Sequence, residues 1–164
     1  MAVKNRHVLN DKKKQKITEE IQQSFPGFNF EKKQKIETGK IKNYKVIIVE
    51  DVVCFIKLEN KFVFTLYGIN LFKPDSNFVV VDMGAVRFVS NGADVMNPGV
   101  VDADKKISEG DMVWVCDEKN HQPLAVGFAI ISGEEMVEKS SGKALKVFHY
   151  VGDKIWSFTS AKSL

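Results

Sequence analysis

The sequence predicts an α+β domain followed by a mostly β domain that closes, or nearly closes, into a small barrel. Three observations predict it. One amphipathic helix pattern stands near the N-terminus, short apolar runs at hairpin spacing fill residues 44–67, and five or six further short strands punctuated by glycine follow residue 77. With 44% hydrophobic residues and only four prolines in 164, the composition is that of folded material throughout. Twelve phenylalanines against three tyrosines and two tryptophans point to an aromatic core, because Phe has no polar handle that favours a wet site.

In the first domain, Ile17, Ile21 and Phe25 recur at four-residue spacing, Asn10 or Asp11 supplies the N-cap, and Pro26-Gly27 stops the helix. Lys12, Lys13, Lys14 and Lys16 crowd its first turns, where the helix dipole least favours cations. They form a candidate basic patch for a polyanion, or a solvated face. A weakly alternating strand is expected over residues 32–38, closed by a turn at Gly39-Lys40. A meander follows: Tyr44 to Val49, a Glu50-Asp51 turn, Val52 to Leu58, a Glu59-Asn60-Lys61 turn, then Phe62 to Tyr67. Consecutive apolar positions in Val-Ile-Ile-Val and Val-Val-Cys-Phe-Ile predict that parts of this sheet are covered on both faces.

Turn formers cluster at Phe72-Lys73-Pro74-Asp75-Ser76-Asn77 and place the boundary there, giving domains over 1–77 and 78–158 and a tail over 159–164. The second domain opens with a strand from Phe78 to Val81. A short helix around Ala85 to Val89 follows, capped by Asp82 and ended by Asn91-Gly92. After a turn-rich stretch from Val95 to Gly99, strands are expected at Met112 to Cys116, Leu124 to Ile131, Leu145 to Val151 and Lys154 to Phe158, with a short helix at Glu134 to Lys139.

Charge is unevenly placed. Residues 1–77 carry fifteen Lys and Arg against nine Asp and Glu, whereas residues 78–164 carry nine against twelve, so the first half is basic and the second acidic. That asymmetry suits a polyanionic partner for the first half, where counterion release drives binding. Cys54 and Cys116 sit inside apolar runs and read as buried free thiols of a reducing compartment. No apolar run approaches a membrane span, and the polar N-terminus does not read as a secretory signal; a cytoplasmic location is expected. His7, His121 and His149 are scattered, and no paired cysteine, nucleophile or phosphate-loop spacing occurs. The reading is a protein without a catalytic centre, metal or cofactor.

The stretch from Val80 to Val100 resembles the signature of PUA domains in Asp82, Gly84, Ala85, Val89, Gly92, Ala93, Val95, Met96, Pro98 and Gly99, and Glu109 to Val113 and Ala125 to Gly127 resemble the strands that follow. The resemblance implies an RNA-binding, PUA-type pseudobarrel. Ile21 to Gly27, then the strand pair around Phe55 to Phe64, then the PUA signature, resemble the malignant T-cell amplified sequence family and its archaeal relatives. That family implies binding to tRNA acceptor ends or the small ribosomal subunit in initiation, reinitiation or recycling, beside a partner with an initiation-factor-one-like fold. A monomer that makes no membrane contact is expected.

By the same resemblance, RNA lies against Arg87, Asn91, Gly92, Ala93, Asp94, Val95, Met96, Pro98 and Gly99 and against Lys143, Lys146, His149 and Tyr150. Free backbone N–H groups near Gly92-Ala93 would hold a phosphate or a base edge, unless Asn91-Gly92 is a plain helix C-cap and Pro98-Gly99 a plain turn. An accessory RNA-targeting subunit for a tRNA- or rRNA-modifying enzyme and a protein-interaction scaffold are the competing readings.

Overall fold

A computed structural model describes residues 2–164. The chain divides into two compact units: one runs to Phe72 and takes in Lys154–Leu164, and the other is Lys73–Asp153. The C-terminal eleven residues, divided by the sequence reading between the second domain and a tail, thus group with the first unit.

In the first unit, strands β1 (Lys4–Val8), β2 (Ile36–Ile41), β3 (Tyr44–Val49), β4 (Val52–Leu58) and β5 (Lys61–Phe64) form an antiparallel sheet in that order. Two of its hairpins turn through two left-handed residues, Glu50-Asp51 (φ 48° and 62°) and Glu59-Asn60 (φ 46° and 69°), as twisted strands require. Helix α1 (Asp11–Gln22) starts at Asn10, whose side chain accepts from the Lys13 N–H at 2.9 Å, and buries Ile17 and Ile21. Phe25, Phe28, Phe55, Phe64 and Phe72 pack largely edge to face, Phe25 and Phe64 with centroids 5.2 Å apart. The expected aromatic core lies here.

Three local expectations are corrected. The strand placed at 32–38 begins at Ile36 and runs through Gly39 and Lys40, because β2 pairs with β3 along its whole length and moves the turn to Lys42-Asn43. The last strand of the meander stops at Phe64, and Leu66–Phe72 is helix α2. Thr65 makes that switch: its hydroxyl donates to the Val53 carbonyl at 2.6 Å and accepts from the Gly68 N–H at 3.0 Å. Helix α2 lies so close to β4 that a Cβ on Gly68 would come within 2.4 Å of the Cys54 carbonyl oxygen. The strand expected at Lys154 to Phe158 is helix α5 (Lys154–Phe158), continued by the Thr159 N–H donating to Ile155. Phe158 stacks on Tyr44 (5.6 Å, 7°), Trp156 stacks on Tyr67 (4.3 Å, 23°), and the Val3 N–H donates to Ser163 at 2.7 Å.

The second unit holds β6 (Phe78–Val81), α3 (Met83–Val89), β7 (Val95–Met96), β8 (Val100–Ala103), β9 (Met112–Asp117), β10 (Pro123–Ala129), α4 (Gly133–Glu138) and β11 (Lys143–Tyr150). The sheet order is β7-β11-β10-β9-β6-β8, antiparallel except for the parallel pair β6 and β9. Its end strands β7 and β8 are joined by one 3-10 turn, Asn97–Gly99, so the sheet nearly closes on itself. The interior is small and branched, with Val79, Val81, Val113, Val115, Ala125 and Leu145 buried. Cys54 and Cys116 are buried free thiols, and burial pushes both up to about 12. No helix is long and apolar enough to cross a membrane among the described residues.

Two substitutions test this packing. Phe158→Ala is expected to lower stability by about 3 kcal/mol and to raise hydrogen exchange in β2 to β4 more than in β9 to β11. Gly68→Ala, which forces α2 off β4, is expected to cost about 2 kcal/mol in urea unfolding.

Candidate functional site

Helix α3 begins at Asp82, whose carboxylate accepts from the Ala85 N–H at 2.8 Å, and ends at Gly92 with φ 88°. The Gly92 N–H donates to Val89 (2.9 Å) and the Ala93 N–H to Phe88 (3.1 Å), the paired bonds of a Schellman cap. These amides are therefore taken by the helix itself and do not form the phosphate-holding nest the sequence suggested. A Cβ on Gly92 would lie 2.6 Å from the Tyr150 ring, so glycine also lets β11 approach.

Between α3, the chain that follows it and the Asn97–Gly99 turn lies a cleft of about 540 Å³. Of the expected RNA contacts it gathers Ala93, Asp94, Val95, Met96, Pro98, Gly99 and Lys143. It also takes in Asp82, Gly84, Ala85, Phe88 and Val89, which had not been assigned to the site. Phe88 is the important omission, since it is 55% exposed and Met96 is 46% exposed. The available signal was helical spacing: with Val89 buried, Phe88 is the large apolar residue left beside it.

Other expected contacts stand elsewhere. His149 is wholly buried, with Nδ1 3.0 Å from the Asp153 carboxylate, and offers no surface to a ligand. Tyr150 is half-buried against Gly92, and Asn91 donates its side-chain amide to the Arg87 carbonyl at 3.1 Å. Arg87 is exposed with its guanidinium 5.1 Å from the Phe88 ring, and Lys146 is exposed on β11 without lining the cleft. Lys12, Lys13, Lys14 and Lys16 stand on α1 in the first unit; Lys14 borders a recess that also holds the Asp11 carboxylate.

Asp94 organises the cleft wall. It accepts from the Lys143 ammonium and the Val147 N–H, both at 3.0 Å, and so ties the segment after α3 to β11. Burial pushes its carboxyl up, but those hydrogen bonds and the nearby Lys143 and Lys146 charges outweigh burial and hold it below the usual carboxylate value. The acidic residue in the segment after α3 is thus a strut already paired with a lysine. The cleft offers apolar surface, with Lys143 on its wall, on which a flat ring can lie.

The fold and cleft define a two-unit protein with a PUA barrel at its second unit. The PUA domain model matches residues 77–151, and a domain of unknown function, DUF1947, matches residues 5–71. An uncharacterised protein of Methanocaldococcus jannaschii is 42% identical over 160 residues, spanning 96% of this chain and 99% of that protein. The crystal structure of a hypothetical protein from Pyrococcus horikoshii OT3 is 38% identical, with a TM-score of 0.79 over 95% of this chain and 100% of that one. Translation machinery-associated protein 20 of Saccharomyces cerevisiae is 27% identical over 135 residues, 78% of this chain and 75% of that protein. The chain belongs to the family that joins DUF1947 to a PUA domain, with these archaeal proteins, translation machinery-associated protein 20 and the malignant T-cell-amplified sequence proteins among its relatives.

The Asp94 strut gives a pH prediction. A carboxyl held below its unfolded value stabilises fully above that value and loses its contribution as pH falls through the folded value. Asp94→Asn is therefore expected to cost up to about 1 kcal/mol at neutral pH, the pair being half exposed, and the gap between variant and parent should close in acid unfolding below pH of about 4.

Proposed function

We propose that this protein binds RNA in the translation apparatus without catalysing a reaction, and that its cleft takes an unpaired RNA end. A tRNA acceptor end, or an RNA end on the small ribosomal subunit during initiation, reinitiation or recycling, fits this reading. The observation that carries it is that Phe88 and Met96, both exposed large apolar residues, line the same cleft. Large apolar side chains at the mouth of a cleft are costly to leave in water unless they serve a contact, and unstacked bases are flat, apolar-faced partners. Lys143 supplies a cation on the cleft wall, but it is already paired with Asp94, so stacking contributes more here than phosphate attraction. Kinship with translation machinery-associated protein 20 supports the translational setting.

The test compares tRNA with an intact acceptor end and tRNA trimmed back to its paired stem. The full chain is expected to prefer the intact form, and Phe88→Ala with Met96→Ala to weaken binding to it by about tenfold or more, one lost base stack being worth ~1–3 kcal/mol. Equal affinity of the unaltered chain for both tRNAs would overturn the proposal.

A further inference from the structure

The charge of the first unit is not spread at random. Along β1, Lys4 lies opposite Lys40 and His7 opposite Thr38, so three steps on β1 match two on β2. The extra residue is accommodated at a bulge where Asn5 takes φ 56°. Without it, Lys4 and His7 would point to opposite faces; with it, both share the face of Lys40 and Thr38. Lys45 of β3 lies opposite Lys40 in turn, which makes Lys4, Lys40 and Lys45 a row across three strands.

Directly opposed like charges destabilise a sheet. No carboxylate relieves this row: Arg6 pairs with Glu37 and Asp51, whereas Lys4, Lys40 and Lys45 form no ion pair among the described residues, and Lys45 has only the face of the Phe62 ring, 5.9 Å from its ammonium. All three are exposed. Beside them lies a depression of about 360 Å³ lined by Asn5, His7, Thr38, Lys40, Asn43 and Lys45, with no carboxylate on its wall.

We propose that this face of β1, β2 and β3 is a second RNA contact that grips the phosphodiester backbone of a paired stem. A protein partner would call for large apolar anchors, and no large apolar side chain among the described residues lines the depression; the functional groups its side chains carry are ammonium, imidazole, amide and hydroxyl, the groups that bind phosphate and sugar oxygens. The inference rests on the protein being RNA-binding but not on the cleft of the second unit. It places a basic surface on the sheet, apart from the α1 lysines, of which Lys14 shares a recess with Asp11.

The experiment uses the full chain and a blunt RNA duplex, which has no unpaired end for the cleft. Lys4→Gln, Lys40→Gln and Lys45→Gln together are expected to weaken duplex binding about tenfold or more at physiological salt and to lower the salt-dependence slope by about two to three. The same triple variant should unfold at or above the temperature of the parent, which separates lost contact from lost fold. Phe88→Ala with Met96→Ala should leave duplex affinity unchanged, so a failure of the cleft and a failure of this face are read from different RNAs. Unchanged duplex affinity and slope in the triple variant would overturn the proposal, and so would displacement of the duplex by polyglutamate at equal charge concentration.

Discussion

The six strands of the second unit become a barrel because Asn97 ties together two parts of the chain that are distant in sequence. Its N–H donates to the Gly142 carbonyl and its side-chain amide to the Ser141 carbonyl, both at 2.9 Å, and Asn97 itself is only 3% exposed. On the far side of the same turn, the Gly99 carbonyl accepts from the Asp82 N–H at 2.9 Å. Asp82 in turn caps α3. The turn that brings the two ends of the sheet together therefore fixes the start of the helix that lines the cleft, and closing the barrel and shaping the cleft are one event. The two Asn97 donors leave little freedom here, since each must keep its carbonyl or bear the cost of desolvation, a cost its Oδ1, buried without a partner among the described residues, already bears.

The two units solve the problem of a small core differently. The first fills its interior with interlocking phenylalanine rings, large pieces that bury much area per residue. The second has a curved sheet with little internal volume, and fills it with Val and Ala. Glycines allow the close approaches: a Cβ on Gly127 would sit 2.3 Å from the Lys146 carbonyl oxygen. The electrostatics divide in the same way. In the second unit the acids are structural, with Asp94 bracing the cleft and Asp117 accepting three backbone N–H groups of the β9–β10 turn, which draw its carboxyl below the usual value. Acidic residues of that unit thus serve as turn and strut acceptors.

Much of this was legible from sequence where local chemistry and periodicity agree. Asn10 and Asp82 are N-caps in both readings, and Glu50-Asp51 and Glu59-Asn60 turn where the apolar runs predict. What was not legible depends on distant pairing. Strand β1 is an edge strand exposed along nearly its whole length, so it shows no alternation to read. The switch from strand to helix at Thr65 was masked because Leu66, Tyr67 and Ile69 suit either structure, although Thr65 three residues before Gly68 was a readable cap. Similarly, Ile155, Trp156 and Phe158 suit a strand until the Tyr44 and Tyr67 rings of the first unit are in place to receive them. At the site, the glycines and the loop were found through family resemblance. Phe88 was passed over because an apolar helical residue reads as core, and His149 was taken for a surface cation because nothing in sequence shows that Asp153 meets it in the interior.

The return of Lys154–Leu164 to the first unit makes that unit discontinuous, with the PUA barrel as an insertion between its two parts. During synthesis, the whole barrel segment is made before the residues that stack on Tyr44 and Tyr67 are added. The unit that begins the chain is thus the last to be completed. Helix α5 serves as a closing clasp, added to the first unit only after the whole inserted segment has been made.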